Sequence, residues 1–292
     1  MQWQLCVNIL ALTALYALVC CGYVLIYRVS RVLNMAHGEL MLLGAYGLFA
    51  TTSQVTNNPL LAITVAALLS ILIGVVTYHI LMRKLTGSDV LAAVLTTIAI
   101  GILIRGLVVL IWTAQPQHPG EMLGLNNPTL PVFGVARISL YTAILIGLTA
   151  LVYISLFIFL RYGSWGIRLR AAGQNPLLAS QRGINLHAVF AFAWAISTFT
   201  ASMAGMIVAI DTALDSTMVM IGLKAFPAAL VGGLDSLLGA LIGSFTIALI
   251  EVLLIQHVDP LLSDVVPFLV LTVMLFIRPW GLFGTREKLD RV

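Results

Sequence analysis

Charge is what this chain has least of. Only 9% of its 292 residues are Asp, Glu, Lys or Arg, against about 25% in an ordinary soluble domain, while 61% are apolar with glycine left out. A soluble globular fold is thereby excluded. So is a disordered or collagen-like chain, which needs low hydrophobicity or a strict glycine period. Cysteine is scarce too: Cys6, Cys20 and Cys21 all fall in the first apolar run and read as small, soft side chains buried in lipid rather than a redox or metal cluster. The pair Gly-Lys does not occur, so there is no phosphate cradle of the G-x-x-x-x-G-K-[ST] kind. Neither G-x-S-x-G nor H-E-x-x-H is found, and His37, His79, His118, His187 and His257 stand in separate segments. No metal, cofactor or enzymatic chemistry is expected.

What is present is a series of long apolar runs. A membrane helix needs about 20 residues to cross roughly 30 Å of hydrocarbon, and residues 5–27, 59–82, 90–112, 140–160, 189–210 and 236–255 meet that length. The first run has no basic residue ahead of it and reads as a retained span rather than a signal peptide. Residues 40–55, interrupted by Gly44 and Gly47, and residues 265–277 are shorter candidates. Residues 220–234 carry Lys224, Pro227, Gly232 and Gly233 and read as a broken or re-entrant element.

Orientation follows from the cations. Arg28 and Arg31, Arg83 and Lys84, Arg161, Arg168, Arg170 and Arg182, then Arg278, Arg286, Lys288 and Arg291 share one face if every run crosses, which puts twelve of the fifteen cations on the cytoplasmic side. The excess of 15 basic over 11 acidic residues is thus read as topology, not as a nucleic-acid surface. The expected fold is all-α, a polytopic membrane bundle of about eight to nine spans with its N-terminus outside and C-terminus inside. Residues 1–292 form one domain, within which residues 161–187 are a cytoplasmic loop. No extramembrane segment exceeds about 27 residues, too few for a separate domain.

Three groups of residues stand out. In the cytoplasmic loop, Asn175 is a strong helix cap, Pro176 suits a first helical position, and Gly183 suits the left-handed turn that ends a helix. The two turns between them are too short to be stable alone. With Arg168, Arg170 and Arg182 beside Leu177, Leu178 and Ile184, they form either a surface helix lying on its own bundle or a peg for a partner subunit. Next, Asn34, His37 and Glu39 precede a glycine-broken run, where they either anchor at the interface or line a pathway. Glycine-rich elements recur at 38–47 and 222–243, and paired irregular elements point to a translocation route. Gly239 and Gly243 make a G-x-x-x-G helix contact. Finally, Arg105 and Glu251 lie inside spans, both in the outer half, and are expected to pair; Glu251 can instead reach outward. Asp211 and Asp215 read as solvated charges at the outer edge.

Taken in order, Leu33-Asn-Met-Ala-His-Gly-Glu-Leu with Leu43-Gly-Ala-Tyr, Arg170-Ala-Ala-Gly-Gln-Asn-Pro through Gly183-Ile-Asn, Ala204-Gly205, Lys224-Ala-Phe with Gly232-Gly233, and Arg278-Pro-Trp-Gly-Leu-Phe-Gly284 give a sequence that resembles the branched-chain amino-acid permeases of bacterial ATP-binding-cassette importers, in particular their smaller, H-type membrane subunit. The resemblance spans nearly the whole chain and departs from the family pattern at Met35, Pro227 and Asp235. It implies an inner-membrane importer made of this subunit, a related membrane subunit, two cytoplasmic ATPases and a periplasmic binding protein. Solute, a branched-chain or other hydrophobic amino acid, would pass by alternation between inward- and outward-facing states. It also implies that Arg170, Asn175, Pro176, Leu177, Arg182 and Gly183 form the ATPase-contacting loop. Asn34, His37, Glu39, Gly232 and Gly233 are the candidate pathway residues. Related permeases carry urea or short amides, and the alternative outside this class is a secondary transporter or channel working through Glu39, Arg105 and Glu251.

Overall fold

A computed structural model describes residues 2–85, 89–132 and 136–285; the tail cations Arg286, Lys288 and Arg291 lie outside the described residues. In chain order the helices are α1 (Gln2–Ser30), α2 (His37–Gln54), α3 (Pro59–Ile80), α4 (Val90–Trp112) and the single turn α5 (Pro119–Met122). A two-stranded antiparallel ribbon follows, β1 (Thr129–Val132) and β2 (Ala136–Ser139), in which Thr129 faces Ser139. Then come α6 (Leu140–Tyr162), α7 (Ser164–Gln174), α8 (Pro176–Gln181), α9 (Leu186–Asp211), α10 (Val219–Gly232), α11 (Leu237–His257) and α12 (Val266–Ile277). The bundle is helical as expected, with the ribbon as an addition.

Among the described residues six helices, α1, α3, α4, α6, α9 and α11, are long and apolar enough to cross a membrane. The expected eight or nine crossings are not reached on length and apolarity, because α10 and α12 are shorter. Several long helices start on a side-chain cap: Asn58 on α3, Ser139 on α6, Asn185 on α9 and Ser236 on α11 each accept a backbone N–H of the first turn. Each cap satisfies an orphan donor that the first turn of a helix leaves without an intrahelical partner.

α1 is the centre of the bundle and packs against α6, α9, α10 and α11. Its small residues Ala14, Ala17, Cys20, Cys21 and Gly22 allow this close approach. Cys20 and Cys21 are therefore buried in protein rather than in lipid, and the Cys20 thiol donates to the Ala225 carbonyl at 3.0 Å. Cys6 is exposed.

The two segments read as broken are continuous short helices, and the irregular backbone lies in front of each. From the end of α1 the chain turns at Arg31 (φ 55°), and residues 31–36 climb back until His37 reaches Val19 and Gly22 of α1, where Ser197, midway along α9, donates to the Gly22 carbonyl. That return covers about 16 Å, at roughly 1.5 Å for each helical residue passed. α2 starts there and runs alongside α9. From the far end of α9, residues 212–218 descend until Val219 and Gly222 meet Gly38, and α10 starts there in the opposite sense. Gly44 and Gly47 do not break α2: Gly44 seats against Ser202 of α9, where an added Cβ would lie 2.0 Å from its Oγ. Pro227 is accommodated inside α10.

Candidate functional site

The first turns of α2 and α10 meet near the middle of the bundle, glycine on glycine. A Cβ on Gly222 would stand 2.3 Å from Gly38 Cα, and one on Gly38 would stand 2.8 Å from the Val219 carbonyl oxygen. Helix starts carry unpaired N–H groups and the positive end of the helix dipole, so two such starts converge here. Around them Asn34 Oδ1 accepts from Ala36 N at 3.1 Å, and Thr97 of α4 accepts from Met35 N at 3.1 Å. His37 is fully buried, with Nε2 3.1 Å from the Val19 carbonyl and its ring 4.4 Å from that of Tyr23. A carbonyl only accepts, so Nε2 carries the proton and, in a neutral ring, Nδ1 is left as an acceptor. His37 Nδ1 and Asn34 Nδ2 are buried without a hydrogen-bond partner among the described residues.

Glu39, in the first turn of α2, is buried and meets Arg105 of α4 at 3.2 Å. Gly101, one turn before Arg105, makes room, since a Cβ there would stand 3.1 Å from the Glu39 carboxylate. The expected Arg105–Glu251 pair is thus corrected: α4 lies on α2, whereas α11 lies on α1 and α10, so equal depth does not bring the two side chains together. Glu251 instead accepts from Tyr16 Oη at 2.8 Å and from Lys224 Nζ at 3.1 Å. Lys224 also reaches Asp264 at 2.7 Å. The hydrogen bond and charge of Lys224 hold the Asp264 carboxyl below its ordinary range, so this link is present above that range and is lost only as pH falls through the lowered value. A double-mutant cycle on thermal stability is expected to give about 1 kcal/mol of coupling between Glu39→Gln and Arg105→Met, and none between Arg105→Met and Glu251→Gln.

Gly232 and Gly233 are not part of this junction. They end α10 roughly ten residues, about 15 Å, further along, where Gly232 packs on Gly239 and Gly233 takes φ 106°. Leu282 and Phe283 donate to the carbonyls of Val231 and Gly232 at 2.8 and 3.0 Å, tying the tail to the end of α10. Asp211 and Asp215 are half-exposed and hydrogen-bonded. Asp211 accepts from Asn127 at 2.6 Å and Ser139 at 3.0 Å, and Asp215 caps the turn before α10 through Thr217 N at 2.7 Å.

At the arginine-rich end, α7 and α8 form a bracket. Asn175 Oδ1 accepts from Leu178 N at 3.0 Å, Pro176 is the first residue of α8, and Gly183 takes φ 80° while Ile184 N bonds the Ala179 carbonyl at 3.1 Å. Leu177 and Leu178 are 68% and 56% exposed, whereas Ala179 is buried. Trp165 stacks on Phe192 of α9 at 5.0 Å and anchors α7. Arg170 faces away from α8 and donates to the carbonyls of Leu160 and Arg161 that end α6. Arg182 lies beside Trp165 and Arg168.

Residues 5–275 match the family described as branched-chain amino acid transport system, permease component. The chain belongs to this family. Relatives include the high-affinity branched-chain amino acid transport system permease protein LivH of Salmonella typhimurium, 28% identical over 98% of this chain and 96% of that one. The LivH of Escherichia coli is 29% identical over the same shares, and BraD of Pseudomonas aeruginosa is 26% identical over 99% and 97%. This LivH-type permease is accordingly a transport subunit of an ATP-binding-cassette system, not an enzyme, and a multi-pass membrane protein. The family assignment also accounts for the absence of a nucleotide cradle in this chain.

Proposed function

We propose that this permease carries a branched-chain or other hydrophobic amino acid across the membrane by alternating access, with its path through the α2–α10 junction. The observation that carries this reading is the meeting of two helix starts, Gly38 on Gly222, between full-length helices. One chain segment enters from each end of the bundle, an inverted arrangement of the kind in which half-helices rock about a central site. The converging N–H groups suit a carboxylate, and Asn34, His37 and Glu39 stand beside them. Gly232 and Gly233 lie along the same helix and would move with it.

In this proposal a related permease subunit completes the path, a secreted binding protein delivers solute, and two ATPases dock on residues 161–187 at the cytoplasmic end, with Asn175, Pro176, Leu177, Arg182 and Gly183 presenting the peg and Arg170 bracing it against α6. The N-terminus is then outside and the C-terminus inside. All of residues 1–292 act as one domain. Uptake of labelled leucine into proteoliposomes holding the complete transporter tests the route. Gly222→Ala adds a methyl where there is no space, at a cost of about 1–3 kcal/mol to the contact, and should abolish uptake while leaving membrane insertion intact. Wild-type uptake in that variant contradicts the route, and competition by urea rather than leucine would reassign the solute.

A further inference from the structure

The turn Pro260–Asp264, outside the long helices, nonetheless lies within the depth that α11 spans. α12 runs beside α10 and ends at the same arginine-rich end, where Leu282 and Phe283 are tied to Val231 and Gly232. Its 12 residues reach about 18 Å back from that end, toward the middle of a hydrocarbon layer of about 30 Å. Lys224 gives the same level independently: its ammonium joins Asp264 to Glu251, and Glu251 lies six residues, about 9 Å, inside the end of α11. At that level the Asp264 side chain is 67% exposed. Every residue of the turn is at least partly exposed as well. Lipid would suit Leu261, Val265, Leu269, Val273 and Phe276, which face outward along the turn and α12, with Leu261 84% exposed. Hydrocarbon, however, offers nothing to a carboxylate or to non-helical backbone. Water would suit the carboxylate and not the apolar stripe around it. A protein surface that is apolar and carries a hydrogen-bond donor suits both.

We propose that the second membrane subunit packs on this face, and that it is a different chain which brings an arginine or lysine to Asp264. This rests on the reading that a related permease completes the path. A second copy of this chain does not suit the face. A two-fold interface joins the same patch on both copies, so two carboxylates would share one apolar surface, and Lys224 is already held between Glu251 and Asp264. A cation from another chain forms a charge-assisted bond instead, and polar contacts of this kind join helices within membranes. The opposite side of α12 is not available to a partner, because Val266, Pro267, Val270 and Met274 pack on this chain's own bundle.

The test uses the complete transporter in membranes, with Cys6→Ser removing the exposed thiol and one cysteine introduced as Leu261→Cys, Leu269→Cys or Phe276→Cys. Each is labelled with benzophenone maleimide and irradiated, and the adduct is identified by mass spectrometry. All three positions should join this chain to the companion permease. Adding Asp264→Asn should cut the adduct yield about tenfold, the worth of one polar contact between membrane helices. Adducts between two copies of this chain, adducts to lipid alone, or a yield indifferent to Asp264→Asn would each overturn the proposal. Leucine uptake measured before labelling keeps the transport reading separate. An assembly that imports leucine without a companion adduct overturns this interface alone, whereas a companion adduct in an assembly that imports none supports the interface and counts against the transport reading.

Discussion

Replacing Lys224 with Met lowers the stability of the detergent-solubilised protein by about 3–5 kcal/mol, the usual cost of leaving a buried charge without its partner. Glu251 is 3% exposed and, among the described residues, is bonded by Tyr16 and Lys224, so its carboxylate would keep one neutral hydroxyl in place of an ammonium. The same ammonium reaches Asp264, which ties the turn after α11 to α10. The double variant Lys224→Met with Glu251→Leu should recover most of the loss, because an apolar pair replaces the buried ion pair at little net cost. Thermal unfolding of the two variants beside wild type measures this. A Lys224→Met protein as stable as wild type would show that Glu251 is not charged or not buried there.

The second large effect concerns the bracket. Leu177→Asp with Leu178→Asp places two charges on the exposed apolar face of α8, and should weaken co-purification of the ATPase subunits by about 3–5 kcal/mol, more than a hundredfold, as expected when central apolar anchors of an interface are lost. Asn175→Ala should act in the same direction by about 1 kcal/mol through loss of the cap. Neither change touches the membrane core, so insertion and expression should be unaltered. Co-purification and coupled uptake at wild-type levels in the double Asp variant would remove α8 from the interface with the motor.

The parts of this structure that were legible in the sequence are those set by local chemistry. Asn175, Pro176 and Gly183 bracket α8 because cap, fixed φ and left-handed turn are all decided within a few residues. The six long helices are legible because hydrocarbon thickness sets their length. Side-chain partners across the bundle were not. Span positions put Arg105 and Glu251 in the same half of the bilayer, but depth is one coordinate, and the packing of α4 on α2 gave Arg105 to Glu39. Lys224 looked like an interruption and is a linchpin, since a lysine inside a helix is tolerated when two carboxylates face it.

The discontinuities were misplaced for a related reason. Gly44 reads as a breaker by its propensity in water, yet in a bundle it is where helices touch. The segment that returns to mid-depth, residues 31–36, holds neither glycine nor proline. Its signal is Asn34, whose side chain bonds Ala36 N just before α2 begins.

The account rests on a pore whose energy comes from other chains. It is tested most directly by leucine accumulation in proteoliposomes that contain this chain alone, compared with the chain reconstituted with its companion permease, ATPases, binding protein and ATP. Accumulation against the gradient is expected only in the complete assembly. Uphill accumulation by the isolated chain would contradict it.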